Sequence, residues 1–340
     1  MSLPTTFKRA AFHEFGKPLV IEDVPLRQPN PDEILIKVEA CGVCHSDVFA
    51  QYNILGGGFP LVPGHEIIGR VAAVGANVPS AWKIGDRIGS GWHGGRDGTC
   101  QACTEGQYQM CDNPIINGET RDGGYAEYVN ILAQAAVRIP DHVDAAKYAA
   151  ILCAGLTAFN PLRHQGIKAG DTVAVQGLGG LGHLAVQYAN KMGYRVIAIS
   201  RGADKEKAAR ELGAHEYIDA SKGDIGEQLK ALGGARAVLS TALSGDAITP
   251  LIKGITPLGK LIVLSVLSEP MKVDIVALLN KAVSLLSYPA GHPKEAEDAV
   301  LFTERHGVDC LIETFPLAEA NKAFDAMLSG KVHFRAVLTM

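Results

Sequence analysis

No uninterrupted apolar run of the length a membrane-spanning helix needs, about 18 residues, occurs in the 340-residue chain. No long block of one charge sign occurs either. There are 32 Lys and Arg against 36 Asp and Glu, a formal net charge of -4. That balance argues against a nucleic-acid or membrane-surface partner. The opening MSLPTTFKRAAF has no apolar core of the kind a secretory signal needs, so the cytoplasm is the expected compartment. Internal repeats and low-complexity tracts are also missing. The seven cysteines are an odd number, and a disulfide framework is not expected of an intracellular chain this long. Metal binding or catalysis is the better starting point for them. Cys41 and Cys310 are expected to be small buried apolar residues.

What is present divides in two. At about 150 residues per domain, the length calls for two domains. The first third reads as β-rich: Ile34–Ala40 and Ala126–Val129 alternate as half-buried strands do, with dense Gly and Pro between them. The texture changes near Ala149. DTVAVQ (171–176) is an apolar strand, HLAVQYANKM has helical spacing, and RVIAIS (195–200) is a second strand. A charged helix DKEKAARELG follows, then strand candidates at 237–243 and 260–267. Apolar strands alternating with helices imply a parallel sheet covered on both faces. The fold class is therefore α/β, with a doubly wound half. The last fifty residues are mixed and end in the apolar strand FRAVLTM.

The doubly wound half opens on Gly177-Leu178-Gly179-Gly180-Leu181-Gly182, a G-x-G-x-x-G between a strand and a helix. That context is the one a dinucleotide site requires. Gly177 permits a tight turn, Gly179 lets backbone approach a pyrophosphate, and Gly182 lets the helix pack on the sheet. The helix N-terminus supplies free N–H groups to phosphate. At the end of the second strand, NAD sites usually carry an acid for the ribose 2′-hydroxyl, whereas NADP sites avoid it. Here Ser200, Arg201 and Gly202 stand instead, with Lys205 after Asp204. Ser200, Arg201 and Lys205 are donors for a 2′-phosphate, so NADP(H) is expected over NAD(H).

The other cysteines fall into two groups. Cys100-x-x-Cys103 and Cys111 are local and need a fourth ligand for a closed tetrahedral zinc site. Asp97 stands one step earlier at the same spacing, and His93 is the alternative. The second group is dispersed: Cys44-His45-Ser46-Asp47, then Gly64-His65-Glu66, then Cys153. Its spacing does not assemble a site. Two Cys and one His would nonetheless suit a zinc with a vacant fourth position.

Taken together, CGVCHSD (41–47), PGHEIIGRV (63–71), GDR (85–87), the cysteine lobe (97–111), DGGYAEYV (122–129), LCAGLTAF (152–159), GLGGLG (177–182) and GKVHFRAVL (330–338) resemble the zinc-containing alcohol dehydrogenases of the medium-chain dehydrogenase/reductase superfamily. The blocks run in that family's order across nearly the whole chain, and the overall look is nearest to its microbial, yeast-like branch. The resemblance implies a Rossmann domain over 154–290 and a GroES-like catalytic domain from 1–153 with 291–340. It implies that Cys44, His65 and Cys153 hold a catalytic zinc; Cys₂His is the donor set already established for alcohol dehydrogenases. Glu66 resembles the acid beside that zinc, Asp47 the carboxylate that orients His65, and Ser46 the hydroxyl that takes the alcohol's proton. Thr157 resembles a nicotinamide contact, and His45 and Arg335 resemble phosphate contacts, beside Gly180 and Leu181 of the loop. Trp92, with Tyr52 and Phe59, is placed at the substrate pocket.

The chain departs from the pattern at three places. Asp97 replaces the first structural cysteine, Phe49 replaces a His found in horse-liver-type relatives, and Phe334 replaces a small residue before the terminal Arg. The expected chemistry is hydride transfer between a primary or aromatic alcohol or aldehyde and NADP(H), with two zincs and a homodimer or tetramer. A polyol or sugar dehydrogenase is the alternative within the superfamily. A zinc-free quinone reductase or a silent NADPH-binding protein would lack the Cys44, His65 and Cys153 set.

Overall fold

The computed structural model describes residues 3–340. They form two compact units: residues up to Leu156 together with Ala290–Met340, and Thr157–Pro289. In the first unit the longest sheet has the strand order Ile312–Pro316, Arg335–Thr339, Glu33–Val43, Glu66–Val74, Arg87–Ser90, Val137–Arg138, with Tyr128–Leu132 also paired to Glu33–Val43. Apart from the parallel pair Ile312–Pro316 and Arg335–Thr339, its pairings are antiparallel. Its core holds Ile34, Ile36, Ile67, Ile88, Ile131 and Tyr125, none of them exposed. This is the β-rich half.

The second unit carries a six-stranded all-parallel sheet in the order Glu216–Asp219, Arg195–Ser200, Thr172–Gln176, Ala235–Ser240, Ile255–Val263, Ser284–Leu286. Counted along the chain that is 3-2-1-4-5-6, the doubly wound dinucleotide-binding order. Apolar strands such as Thr172–Gln176 and Arg195–Ser200 are almost wholly buried, as helices on both faces require. Each fully buried Ile or Leu here contributes about 1.5–3 kcal/mol.

Several boundaries differ from the sequence expectation. The strand expected at 237–243 ends at Ser240, where the N–H and the hydroxyl of Thr241 both close on the Gln176 carbonyl at 2.9 Å. The strand expected at 260–267 begins at Ile255 and ends at Val263. The strand at Ala126–Val129 is shifted to Tyr128–Leu132, since Ala126 makes only a single bridge to Arg9. The charged helix is a 3-10 turn, Ala203–Lys205, followed by Glu206–Glu211. The helix after the glycine loop spans Gly182–Lys191, and its chain reverses at Gly193 with φ +83°. Cys41 and Cys310 are buried, as their apolar character required.

Candidate active site

The strand Glu33–Val43 delivers Cys44 into a 3-10 turn, His45–Asp47. The Asp47 carboxylate folds back on this turn, accepting from the Cys44 N–H at 2.9 Å. Tyr125 donates its hydroxyl to the same oxygen at 2.7 Å. The other Asp47 oxygen lies 3.0 Å from Nδ1 of His65. That contact leaves Nε2 of His65 buried with no protein partner. A carboxylate on one imidazole nitrogen fixes the tautomer and presents the other nitrogen to a metal.

Cys153 comes from elsewhere in the chain, after the buried 3-10 turn Ala150–Leu152. Its Sγ lies 3.9 Å from that of Cys44. Tetrahedral zinc with Zn–S of about 2.3 Å separates two sulfurs by roughly 3.8 Å, so the pair fits. Ligand atoms of Cys44, His65, Glu66 and Cys153 all lie within 4.8 Å of one another. The thiol proton of Cys153 and the nearby His65 hold Cys44 well below its usual range, which favours a thiolate there. Burial pushes Glu66 up to about 7, against the opposing Arg335 guanidinium. Glu66 and Arg335 form a buried ion pair. Arg335 follows Phe334, whose φ of +68° is left-handed, a region non-glycine residues rarely adopt.

Around this centre Ser46 is half-buried and His45 exposed. Trp92 packs edge-on against the His65 ring at 4.8 Å and against Phe49 at 6.4 Å. Tyr52 is not drawn into that group; it is exposed and pairs with Phe15. Phe59 packs against the apolar core. Two neighbours escaped the sequence reading. Tyr125 lies inside DGGYAEYV, but nothing in that block announces a bond to Asp47. Glu119 is 1% exposed, and its carboxylate lies within 4.8 Å of Asp47 and His65. Burial raises it to about 8.

The cysteine lobe is equally well formed. Ligand atoms of Asp97, Cys100, Cys103 and Cys111 lie within 4.8 Å of one another, and His93 is not among them. Cys100 and Cys111 sulfurs are 3.9 Å apart. The backbone N–H groups of Asp97 and Asn113 both point at the Cys111 sulfur at 3.4 Å. Three sulfurs and one carboxylate in this arrangement are a donor set that a tetrahedral zinc takes. Asp97 also accepts from the N–H groups of Thr99 and Cys100 and from the Asn113 amide. These donors, the amide above all, hold its carboxyl well below its usual range.

In the second unit the glycines differ in what constrains them. At Gly177 (φ +94°) a Cβ would meet the Thr241 hydroxyl at 2.2 Å, and at Gly182 it would meet the Gly177 carbonyl at 1.8 Å. At Gly179 a Cβ would meet nothing within 4 Å. Protein packing explains the first two glycines. Open space over Gly179 fits close approach of a pyrophosphate to backbone. Beyond the next strand, Ser200 is largely buried while Arg201 and Lys205 are exposed. Tyr217 ties this turn down by donating to the carbonyls of Ser200 and Gly202, at 3.2 and 2.6 Å. Asp219, on the neighbouring strand, accepts from the Gly202 N–H at 2.9 Å. Neither residue was legible as part of this turn. Thr157 is half-buried in the helix Ala154–His164.

Residues 30–141 match the alcohol dehydrogenase GroES-like domain, and residues 180–305 match the zinc-binding dehydrogenase family. The chain is 62% identical to the alcohol dehydrogenase notN of Aspergillus sp. (strain MF297-2), covering 100% of both chains. It is 59% identical to the alcohol dehydrogenase patD of Penicillium expansum, over 99% of this chain and 98% of that one. Among solved structures, a cinnamyl alcohol dehydrogenase from Sorghum bicolor superposes with a TM-score of 0.89 at 28% identity, covering 98% and 97%. An acetophenone reductase from Geotrichum candidum in complex with NAD gives 0.85 at 27%, covering 100% and 99%. A zinc-binding dehydrogenase from Sinorhizobium meliloti bound to NADP gives 0.87 at 27%, covering 99% and 100%.

Proposed function

This chain belongs to the zinc-binding alcohol dehydrogenases of the medium-chain dehydrogenase/reductase superfamily, and from that premise we propose that it interconverts primary or aromatic alcohols and their aldehydes, using NADP(H) and a zinc held by Cys44, His65 and Cys153. The observation that carries the zinc assignment is the buried, unpartnered Nε2 of His65 beside two sulfurs 3.9 Å apart. Two thiolates and a neutral imidazole balance a divalent charge and leave a fourth position for substrate. When bound, the zinc supplies Lewis acidity to the substrate oxygen.

The chain's own residues do the rest. Asp47 orients His65 and is itself held by Tyr125. Ser46 takes the proton of the alcohol at its hydroxyl and passes it outward; His45, exposed beside it, serves as a phosphate contact. Arg335, also read as a phosphate contact, neutralises Glu66 in the meantime. With Phe49 in place of a His, the relay runs through Ser46 towards solvent without an imidazole at that position. Trp92 and Phe49 give the surroundings of His65 an aromatic wall, which favours an apolar or aromatic substrate over a polyol. Thr157 contacts the nicotinamide.

For the nucleotide, Gly177 to Gly182 cradle the pyrophosphate, and Ser200, Arg201 and Lys205 receive the 2′-phosphate. The solved relatives include NAD and NADP complexes, so this preference rests on the residues of the turn. NADPH as donor makes aldehyde reduction the working direction. Asp97, Cys100, Cys103 and Cys111 hold a second, structural zinc. A homo-oligomer is supported by the edge strand Ser284–Leu286 and by exposed Ile275, Val276, Leu279 and Leu285 in that part of the second unit. Among the described residues no helix is long and apolar enough to cross a membrane. The test is a substrate panel with NADPH and NADH, run on the parent and on Cys44→Ala. Normal turnover by Cys44→Ala, or a preference for NADH, would sink the corresponding part.

A further inference from the structure

Glu66 and Arg335 do not sit on neighbouring strands. Glu66 begins the strand Glu66–Val74, Arg335 begins Arg335–Thr339, and Glu33–Val43 lies between them. In the ladder, Gly42 is opposite Glu66 on one side and Val337 on the other. Arg335 is two residues before Val337, so it shares that face of the sheet. Cys44, two residues beyond Gly42 in extended backbone, continues the same face. The ion pair therefore spans two inter-strand spacings, roughly 10 Å, and passes over Gly42.

The crossing has no room for a side chain. A Cβ built at Gly42 would lie 1.7 Å from Oε2 of Glu66, 2.8 Å from its Cδ and 3.1 Å from its Cβ. All three nearest atoms belong to Glu66. Gly42 has none of the positive φ that would explain glycine by backbone conformation. Its lack of a side chain is thus set by Glu66.

We propose that Gly42 is a positioning residue: its bare backbone lets Glu66 reach Arg335 while its carboxylate stays within 4.8 Å of the ligand atoms of Cys44, His65 and Cys153. The inference rests on reading Cys44, His65 and Cys153 as the metal's ligands. With alanine at 42, the carboxylate must leave its present place. The metal then loses the neighbouring carboxylate that Arg335 holds beside it.

The experiment exchanges zinc for Co²⁺, whose visible ligand-field bands respond to coordination number. Lobe cobalt is common to all variants, so difference spectra isolate the Cys44 site. Gly42→Ala is expected to shift the bands relative to the parent. In the Glu66→Gly background, which removes every Glu66 atom that a Cβ at 42 would meet, adding Gly42→Ala is expected to leave the spectrum and the Tm unchanged. Identical bands in parent and Gly42→Ala overturn the proposal. If Gly42→Ala does not fold, the comparison of Glu66→Gly with the double variant still decides: equal Tm supports it, and a fall of several degrees overturns it. A parent whose cobalt spectrum equals that of Cys44→Ala would instead refute the ligand assignment itself.

Discussion

The hydroxyl of Tyr125 donates to the Asp47 carboxylate at 2.7 Å, and neither residue is exposed to solvent. Asp47 thereby holds three parts of the chain together: Tyr125, the Cys44 N–H and His65. Residues that orient a metal's ligands typically matter by about 10–100-fold in metal affinity. Asp47→Asn is expected to weaken zinc binding by that order, and Tyr125→Phe by less, since one hydrogen bond to a charged group contributes about 1.5–3 kcal/mol. Competition with a chromophoric chelator measures both. Parental affinity in Asp47→Asn would remove Asp47 from its role.

Nucleotide choice is tested at Arg201. Arg201→Asp places a negative charge where the 2′-phosphate is proposed to bind. The ratio of kcat/KM for NADPH over NADH is expected to fall by at least about 10-fold, the worth of one lost charge-assisted hydrogen bond. An unchanged ratio means that Arg201 is only a solvated charge at a strand end.

The lobe makes a separate prediction. Thiolate is the softer ligand, so Asp97→Cys is expected to retain zinc through a dialysis that strips the parent's lobe. Asp97→Ala is expected to lose that zinc and to lower the Tm, because the N–H groups of Thr99 and Cys100 lose their acceptor. Zinc-to-protein ratios after dialysis separate the three proteins. Equal ratios would show that Asp97 is no ligand.

His93 supplies a pH dependence. Burial lowers it from 6.5 to about 4, with smaller contributions from His292 and His65, and its Nε2 has no partner. Between those values the unfolded chain binds a proton that the folded chain refuses. Stability therefore rises with pH across this window and is lost as pH falls below about 6.5. The loss approaches roughly 3 kcal/mol near pH 4. His93→Gln is expected to lose less Tm than the parent between pH 7 and pH 5. Parallel Tm curves would rule out this contribution.

The doubly wound unit was the more legible half. Its apolar strands and the glycine loop are local patterns, and only their ends moved. Thr241 and the 3-10 turn at Ala203–Lys205 are set by contacts that local propensity does not contain. The catalytic group was opaque to spacing, because Cys44 and Cys153 stand 109 residues apart. Only the string of matching blocks joined them. Tyr125, Glu119 and the pairing of Glu66 with Arg335 depend on which strands lie side by side. A sequence pattern of period two reports a face and not a neighbour. Asp97 was readable, because its spacing from Cys100 is local.

Glu66 and Arg335 are separated by 269 residues. On a ribosome adding about 5–20 residues each second, roughly 15–50 s pass between the synthesis of one and of the other. The whole of residues 157–289 emerges in that interval, as one contiguous piece. Throughout it, Ala40–Val43 lacks the partner strand that Arg335–Thr339 later provides. An unpaired edge of this kind is a template for wrong association. The nascent chain thus carries an open edge beside Cys44, and its last strand both closes that edge and brings the counter-charge for Glu66.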